Sequence, residues 1–498
     1  MTTTPAFRSD VFDVETIDLA GTTETIVRGG RHLFDRLPAA LAGVRRIGVI
    51  GWGPQGRAQA LNLRDSLAGT PITVTVGLRP GSSSVADAEA HGFRRADGTL
   101  GDWLDVIAAS DLVVLLVSDA AQAAHHAEIF GALRPGSTLG VSHGFLAGHL
   151  ANESLSWPAG VSVIAVCPKG MGDSLRRLYV QGAEINGAGI NASVAVVADH
   201  DGHAVDRALA WSIGIGSPYT FRTTLDSERL SDVVGERAIL LGAVHGIVES
   251  LYQRYRIAGA PPAEAYDRAC ATVTGPIAAT VSHHGLRAVR ERLPATDRAV
   301  FDRAYAAAYR PCRDLVVEIY DEVASGNELR SVVLAGRRLA HTPLTPIGNS
   351  PLWTGERANT GAADPFTAGV FVAAMVAQVD VLAERGHPWS EIVNESVIEA
   401  VDSLLPYMRA RDVSYMVDNC SITARLGARK WGPRFTAALD QIAYPVADGI
   451  DAPDPAPIAA FADHPVHEVL ARLAPLRPPV DISVSAAAGP TTRLPNSL

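Results

Sequence analysis

A change of periodicity near Tyr219 restricts what this chain can fold into more than any other feature. From Arg46 to about Asp199, short β-branched runs alternate with helical stretches. The runs are Ile47–Ile50, Ile72–Val76, Leu112–Val117, Thr138–Val141, Val161–Val166 and Val194–Val197. Each is largely apolar and closely flanked by Gly, Pro, Ser or Asp, as expected for parallel strands buried on both faces. Such alternation implies a doubly wound α/β sheet. Beyond Tyr219 the β signal stops. Helical periodicity runs from Leu225 to about Leu404 and resumes over Thr423–Ala443, so the second half is expected to be all-helical. Thr342–Asp364, rich in Pro, Gly, Thr and Asn, reads as a loop, and the chain beyond Val480 as a loose tail.

Size and charge narrow the function classes. A chain of 498 residues exceeds one ordinary core, and 47% apolar with 19% charged residues is a globular composition. A net charge of −10 leaves no basic excess to displace phosphate counterions, which argues against nucleic acid as a partner. No run of roughly 18 apolar residues predicts a membrane span. Four scattered cysteines, Cys167, Cys270, Cys312 and Cys420, lack CxxC spacing and fit reduced thiols. Of 43 basic residues, all but Lys169 and Lys430 are Arg. Either a compact ammonium is needed at those two places or the lysines persist by chance.

The first run leads into Gly51–Trp52–Gly53–Pro54–Gln55–Gly56, a GxGxxG between a strand and the helical pattern Gln55–Leu67. Glycines permit a tight turn, and the helix N-terminus then presents free N–H groups to a pyrophosphate. The second run ends in Gly77–Leu78–Arg79–Pro80–Gly81–Ser82–Ser83–Ser84. A site for NAD needs a carboxylate there to hold the ribose hydroxyls. One Arg among hydroxyls instead suits a 2′-phosphate, held by Arg79, Ser82 and Ser84, and favours NADPH. An ordinary serine-rich turn is the alternative.

Two pairs of acids are spaced four apart, Asp232 with Glu236 and Glu395 with Glu399. On a helix each pair shares a face, where like charges cost about 0.2–0.5 kcal/mol. Solvated acidic faces are common. The first pair, however, continues into apolar Ile239, Leu240 and Ala243, which predicts buried carboxylates in need of a cation. The second continues into Asp402, so no such inference holds. Carboxylates without Cys or His suit Mg²⁺.

Together these segments resemble the ketol-acid reductoisomerases. IGVIGWGPQGRAQALNLRDS, VSHGF, VCPKGMG, LYVQGAEINGAGIN, SDVVGERAILLGAVHGIVES, NESVIEAVDSL and SYMVDNCSITARLGARKW are collinear with that family, and the last resembles its long, plant-like form. The likeness covers about 32–480 and implies the architecture. An N-terminal extension over 1–31 would precede a Rossmann domain over 32–220. A knotted all-α domain over 221–480 would follow, duplicated as about 221–340 and 365–480, then a tail over 481–498. A faint likeness between Leu240–Tyr266 and Val372–Ile392 fits that duplication.

The resemblance also assigns roles. Asp232 would bridge two Mg²⁺ ions, with Glu236 completing one coordination sphere and Glu395 and Glu399 serving the other or its waters. Ser421 would hydrogen-bond the substrate carboxylate. His143 and Lys169 match polar family positions and Gly172 the adjoining cofactor loop. Trp52, Gly53, Pro54 and Gln55 match the pyrophosphate turn, and Asp119 and Gln122 a later cofactor contact. The family reaction removes a proton from a 2-hydroxy-3-keto acid, migrates an alkyl group to the neighbouring carbonyl and reduces the product with NADPH. Hydroxide on the metal, or Glu399 through water, would take the proton, and Lys169 would offset the alkoxide. A homodimer is expected from the plant-type likeness. Asp10, Asp13, Glu15 and Asp18 exclude a basic leader, and the Arg-rich composition suggests a bacterial cytosolic enzyme. The rivals are a metal-independent β-hydroxyacid dehydrogenase and a non-catalytic binding protein on the same fold.

Overall fold

The computed structural model describes residues 7–185, 189–339, 342–357 and 361–477. The expected tail, and part of the LYVQGAEINGAGIN segment, lie outside them. The chain divides into two compact units, with the boundary between Arg229 and Leu230 and residues 474–477 returning to the first. That boundary falls inside the helix Leu225–Arg237, later than the expected 220.

In the first unit the β-branched runs become strands of a ten-stranded sheet. In chain order these are β1 (Glu15–Leu19), β2 (Thr22–Arg28), β3 (Arg46–Ile50), β4 (Thr73–Leu78), β5 (Leu100–Asp102) and β6 (Leu112–Leu115). They continue as β7 (Thr138–Val141), β8 (Ser162–Pro168), β9 (Ala192–Ala198) and β10 (Tyr219–Arg222). The order is β1-β2-β10-β9-β8-β7-β6-β3-β4-β5. From β5 through β4, β3, β6, β7 to β8 every pairing is parallel, the strand order of a dinucleotide fold. Val49, Val76, Val114 and Leu139 are wholly or almost wholly buried, as covered parallel strands require.

Two expectations change here. Val194–Val197 lies in β9, which runs antiparallel to β8, because a short apolar run carries no sign of strand direction. The N-terminal segment is no separate extension: β1 and β2 form a hairpin that joins the sheet through β10. Its two-residue turn, Ala20–Gly21, has positive φ at both positions, as the twist of a tight hairpin demands. The usual Asn-Gly signal is absent there, so the pattern is silent.

The second unit is helical among its described residues. Its longest helix, Ala295–Ala324, packs along Pro365–Glu384. The latter is long and apolar enough, by composition, to cross a bilayer, contrary to the sequence count; most of it is buried within the unit. Helix Pro262–Tyr266 leads into π-helical Asp267–Ala271 and Val273–Ile277 and then helix Ala278–His284. A left-handed residue, Gly285, precedes helix Leu286–Glu291. The succession recurs as Trp389–Val393, π-helical Asn394–Ile398 and Ala400–Leu404, Leu405–Arg411, left-handed Asp412 and Val413–Asn419. One spacing separates Asp267 from Asn394, Val273 from Ala400, Gly285 from Asp412 and Leu286 from Val413. At the second left-handed position, where Asp replaces Gly, the carboxylate accepts hydrogen bonds from Tyr266 and Arg357 that hold the strained backbone.

Helices Gly242–Ile257 and Ile422–Ala438 approach so closely that a Cβ at Gly246 would stand 2.2 Å from the Gly432 carbonyl oxygen. Gly246→Ala is therefore expected to lose about 1–3 kcal/mol through overpacking. Thermal unfolding followed by circular dichroism should show a lowered midpoint with NADPH affinity retained. An unchanged midpoint would mean that the helices yield freely.

Candidate active site

The cofactor turn is built by backbone. Gly51 has φ +110°, and a Cβ there would stand 2.6 Å from the Leu116 carbonyl oxygen, so no L side chain fits. Gly53 caps the helix Pro54–Ser66, with Pro54 at its start, where a missing N–H costs nothing. Trp52 is fixed by its indole N–H, which donates to Asp87 (2.6 Å), and by edge contact with Phe93. Gln55 donates to the Gly170 carbonyl (2.7 Å), tying the turn to the loop after β8. In that loop Gly172 lies so close that a Cβ would stand 2.1 Å from the Pro54 carbonyl oxygen. Gly51, Trp52, Gly53, Pro54, Gln55, Gly56 and Gly172 thus form one backbone cradle.

Arg79 follows directly on β4, part-exposed, and its guanidinium has no ion-pair partner among the described residues. The turn closes through the Ser82 N–H, which donates to the Arg79 carbonyl (3.1 Å). Ser82 Oγ then accepts from the Ser84 N–H (3.3 Å). A cation and hydroxyls at the end of the second strand therefore stand where an acid would select unphosphorylated ribose. Asp119 opens the helix Asp119–Ala132, and Gln122 is buried with its amide donated to the Val117 carbonyl (2.9 Å). His143 Nδ1 accepts from the Phe145 N–H (3.1 Å), which assigns the ring proton to Nε2. Asp119 Oδ1 lies 3.7 Å from that Nδ1.

Lys169 is buried, and its ammonium lies 3.3 Å from Glu228 Oε1, also buried. Glu228 is the partner that the pairwise spacing argument missed. The signal was present, since Glu228, Asp232 and Glu236 repeat at intervals of four on the helix Leu225–Arg237. That interval reads as one acidic face, and only folding shows that its first member meets a lysine.

In the second unit Asp232 approaches Glu236 and Glu395, while Glu399 joins neither cluster of potential ligands found among the described residues. Carboxylate oxygens of Asp232 reach within 4.8 Å of those of Glu236, and likewise of Glu395. A Cβ at Gly235 would stand 3.2 Å from the Glu395 carbonyl oxygen, so the helices touch there. The burial expectation is reversed between the couples. Ile239, Leu240 and Ala243 are buried, yet Asp232 and Glu236 are part-exposed, because their helix ends at Arg237 and the apolar stripe continues on another element. Glu395 is 0% exposed and Glu399 and Asp402 are buried too, Asp402 accepting from Ser282 (2.6 Å). The second couple, moreover, sits in a π-helical stretch, not a regular α-helix. Helices interrupted in this way are frequent at functional sites.

Ser421 caps the helix Ile422–Ala438, accepting from the Ala424 N–H (3.0 Å), and its hydroxyl lies 3.5 Å from Glu236 Oε1. Beside it, desolvation and then the charges of Glu236 and Glu399 push the Cys420 thiol up to about 12. A thiol that stays protonated is a poor ligand. The carboxylate oxygens of Asp232, Glu236 and Glu395 are hard donors of the kind that Mg²⁺ takes.

A glycine turn at the head of a sheet in this order belongs to oxidoreductases that use a nicotinamide dinucleotide. Comparison with known proteins makes the assignment particular. Profiles of the acetohydroxy acid isomeroreductase NADPH-binding domain and of the ketol-acid reductoisomerase C-terminal domain match residues 41–220 and 225–358. The chloroplastic ketol-acid reductoisomerase of Pisum sativum is 53% identical over 97% of this chain and 86% of its own. That of Spinacia oleracea is 52% identical over 98% and 84%. The structure of an NADH-preferring ketol-acid reductoisomerase from an uncultured archaeon aligns with a TM-score of 0.53 at 24% identity, covering 62% of this chain and 92% of that one. The chain belongs to the ketol-acid reductoisomerase family, oxidoreductases of branched-chain amino-acid biosynthesis with an NADPH-binding domain. The expected bacterial cytosolic origin is overturned by the same comparison, since both plant relatives are chloroplastic. Preference for Arg over Lys carries no address.

Breaking the buried pair should be costly. Glu228→Gln is expected to lower stability by about 3–5 kcal/mol, because it takes a buried counter-charge from the buried Lys169 ammonium. The double variant Lys169→Met with Glu228→Gln should recover most of that loss in denaturant unfolding. Equal stability of the single variant and the native chain would exclude a mutually dependent pair.

Proposed function

We propose that the chain catalyses Mg²⁺-dependent alkyl migration in 2-acetolactate and 2-aceto-2-hydroxybutyrate, then NADPH-dependent reduction. The products are 2,3-dihydroxyisovalerate and 2,3-dihydroxy-3-methylvalerate. The observation that carries this reading is the approach of Asp232 to both Glu236 and Glu395, acids that lie far apart in the chain. Like charges gathered so closely need a cation or a shared proton between them. When bound, Mg²⁺ supplies Lewis acidity for the migration and NADPH supplies the hydride.

The side chains divide the remaining work. Asp232, Glu236, Glu395 and Glu399 would hold the ions, Asp232 serving both, Glu236 one, and Glu395 and Glu399 the other or its waters. Glu399 also draws the proton from the tertiary hydroxyl through water. Ser421 donates its hydroxyl to the substrate carboxylate, since its 3.5 Å contact with Glu236 is long enough to be exchanged. Lys169, a charge already desolvated, offsets developing negative charge without solvent reorganisation. His143, with its proton on Nε2, is left a donor on its outer nitrogen. Asp119 and Gln122 line the cofactor at the start of their helix, and Arg79, Ser82 and Ser84 take its 2′-phosphate.

The repeated succession of helix, paired π-segments and left-handed residue supports duplication of the helical unit, as about 221–340 and 365–480. A knotted path through that unit and a homodimer complete the reading.

Two experiments test it. Asp232→Asn is expected to abolish isomerisation while NADPH binding, read by fluorescence, stays nearly native. Turnover surviving either that change or thorough chelation would refute the metal role and favour a metal-independent dehydrogenase. Arg79→Ala should raise KM for NADPH at least about tenfold, the worth of a charged hydrogen bond, and leave that for NADH unmoved. Equal effects on the two cofactors would remove Arg79 from phosphate recognition.

A further inference from the structure

Lys430, the second of the two lysines, finds no task in the reaction as described, nor does Arg237. They meet through one acid. Arg237 closes the helix Leu225–Arg237 and is 0% exposed. Its Nε donates to Glu328 Oε2 (2.8 Å), and its Nη1 reaches Glu236 Oε2 (3.2 Å) and the Val233 carbonyl (3.3 Å). The other Glu328 oxygen accepts from the Trp431 indole (3.1 Å) and from Lys430. Burial alone would raise the Glu328 carboxyl, but Arg237 and Lys430 together hold it below the usual range. The guanidinium also has a made slot: a Cβ at Gly427 would stand 2.8 Å from Arg237 Cγ. Helix Ile422–Ala438 therefore presents Ser421 at its cap, Gly427 against Arg237, and Lys430 and Trp431 on Glu328.

We propose that Arg237 is a positioning residue for the metal site, holding Glu236 through Oε2 and so fixing how its carboxylate faces a cation, and that Glu328, clamped by Lys430 and Trp431, fixes Arg237. Sequence neighbours on a helix point to different sides. The Arg237 side chain meets Glu236 because Glu328 and the Gly427 slot bend it back. The other oxygen, Oε1, lies 3.5 Å from the Ser421 hydroxyl. Supports behind a ligand of this kind are commonly worth 10–100-fold in metal affinity.

The inference rests on the reading of Glu236 as a metal ligand, so the test separates the two. Mn²⁺ alone is titrated into the full-length chain by electron paramagnetic resonance, with NADPH affinity and thermal unfolding measured alongside. Arg237→Lys keeps the charge but loses the fork, and Glu328→Gln loosens Arg237 while leaving it in place. Each is expected to weaken Mn²⁺ binding about tenfold or more, with NADPH affinity unchanged. Glu236→Gln should weaken it at least as much. Native Mn²⁺ affinity in both Arg237→Lys and Glu328→Gln, with binding lost in Glu236→Gln, overturns the positioning role. Native affinity in Glu236→Gln as well overturns the ligand reading itself. Parallel losses of Mn²⁺ and NADPH affinity would reduce Arg237 to a residue of the fold.

Discussion

Mutual repulsion among Asp232, Glu236 and Glu395 is the constraint on which the helical unit turns. Asp232 lies with an oxygen within 4.8 Å of one on Glu236 and of one on the wholly buried Glu395, and such approaches oppose the folding that brings them about. A protein keeps such an arrangement when something compensates it. Here compensation is visible on the protein side in Arg237, which takes one oxygen of Glu236 and is itself balanced by Glu328. The remaining negative charge is what a divalent cation would neutralise.

Lys169 and Glu228 solve the same problem in the first unit at smaller scale. Both are desolvated, and each offsets part of the other's burial cost. The loop bearing Lys169 is in turn set by the cofactor turn, through the Gln55 bond to Gly170 and the contact of Gly172 with Pro54. A buried ammonium and the glycine turn therefore share one piece of backbone. Displacing either would move the other, which is how a fold can couple the position of a charge to that of a cofactor.

Legibility differed sharply between parts of the chain. The glycine turn and the parallel strands around it were readable because strand, turn and helix are adjacent in sequence and each has its own period. The hairpin β1–β2 was not, since Ala20–Gly21 lacks the usual residues of such a turn and its strands are only partly apolar. Burial of the acids was misjudged for a related reason. A stripe running from Glu236 to Ala243 presumes one continuous helix, and the helix stops at Arg237.

Residue order alone determined that a dinucleotide turn opens an α/β sheet, that helices follow, and that two pairs of acids lie at helical spacing. These are local properties, encoded by neighbours within a turn or two. Tertiary structure decided that β9 runs against β8, that Glu395 and not Asp232 is the deeply buried acid, and that Glu228 belongs to Lys169. It also decided that Lys430 acts on Glu328. Strand direction, burial and the partner of a charge depend on which distant segments pack together, and no short stretch of sequence holds that information.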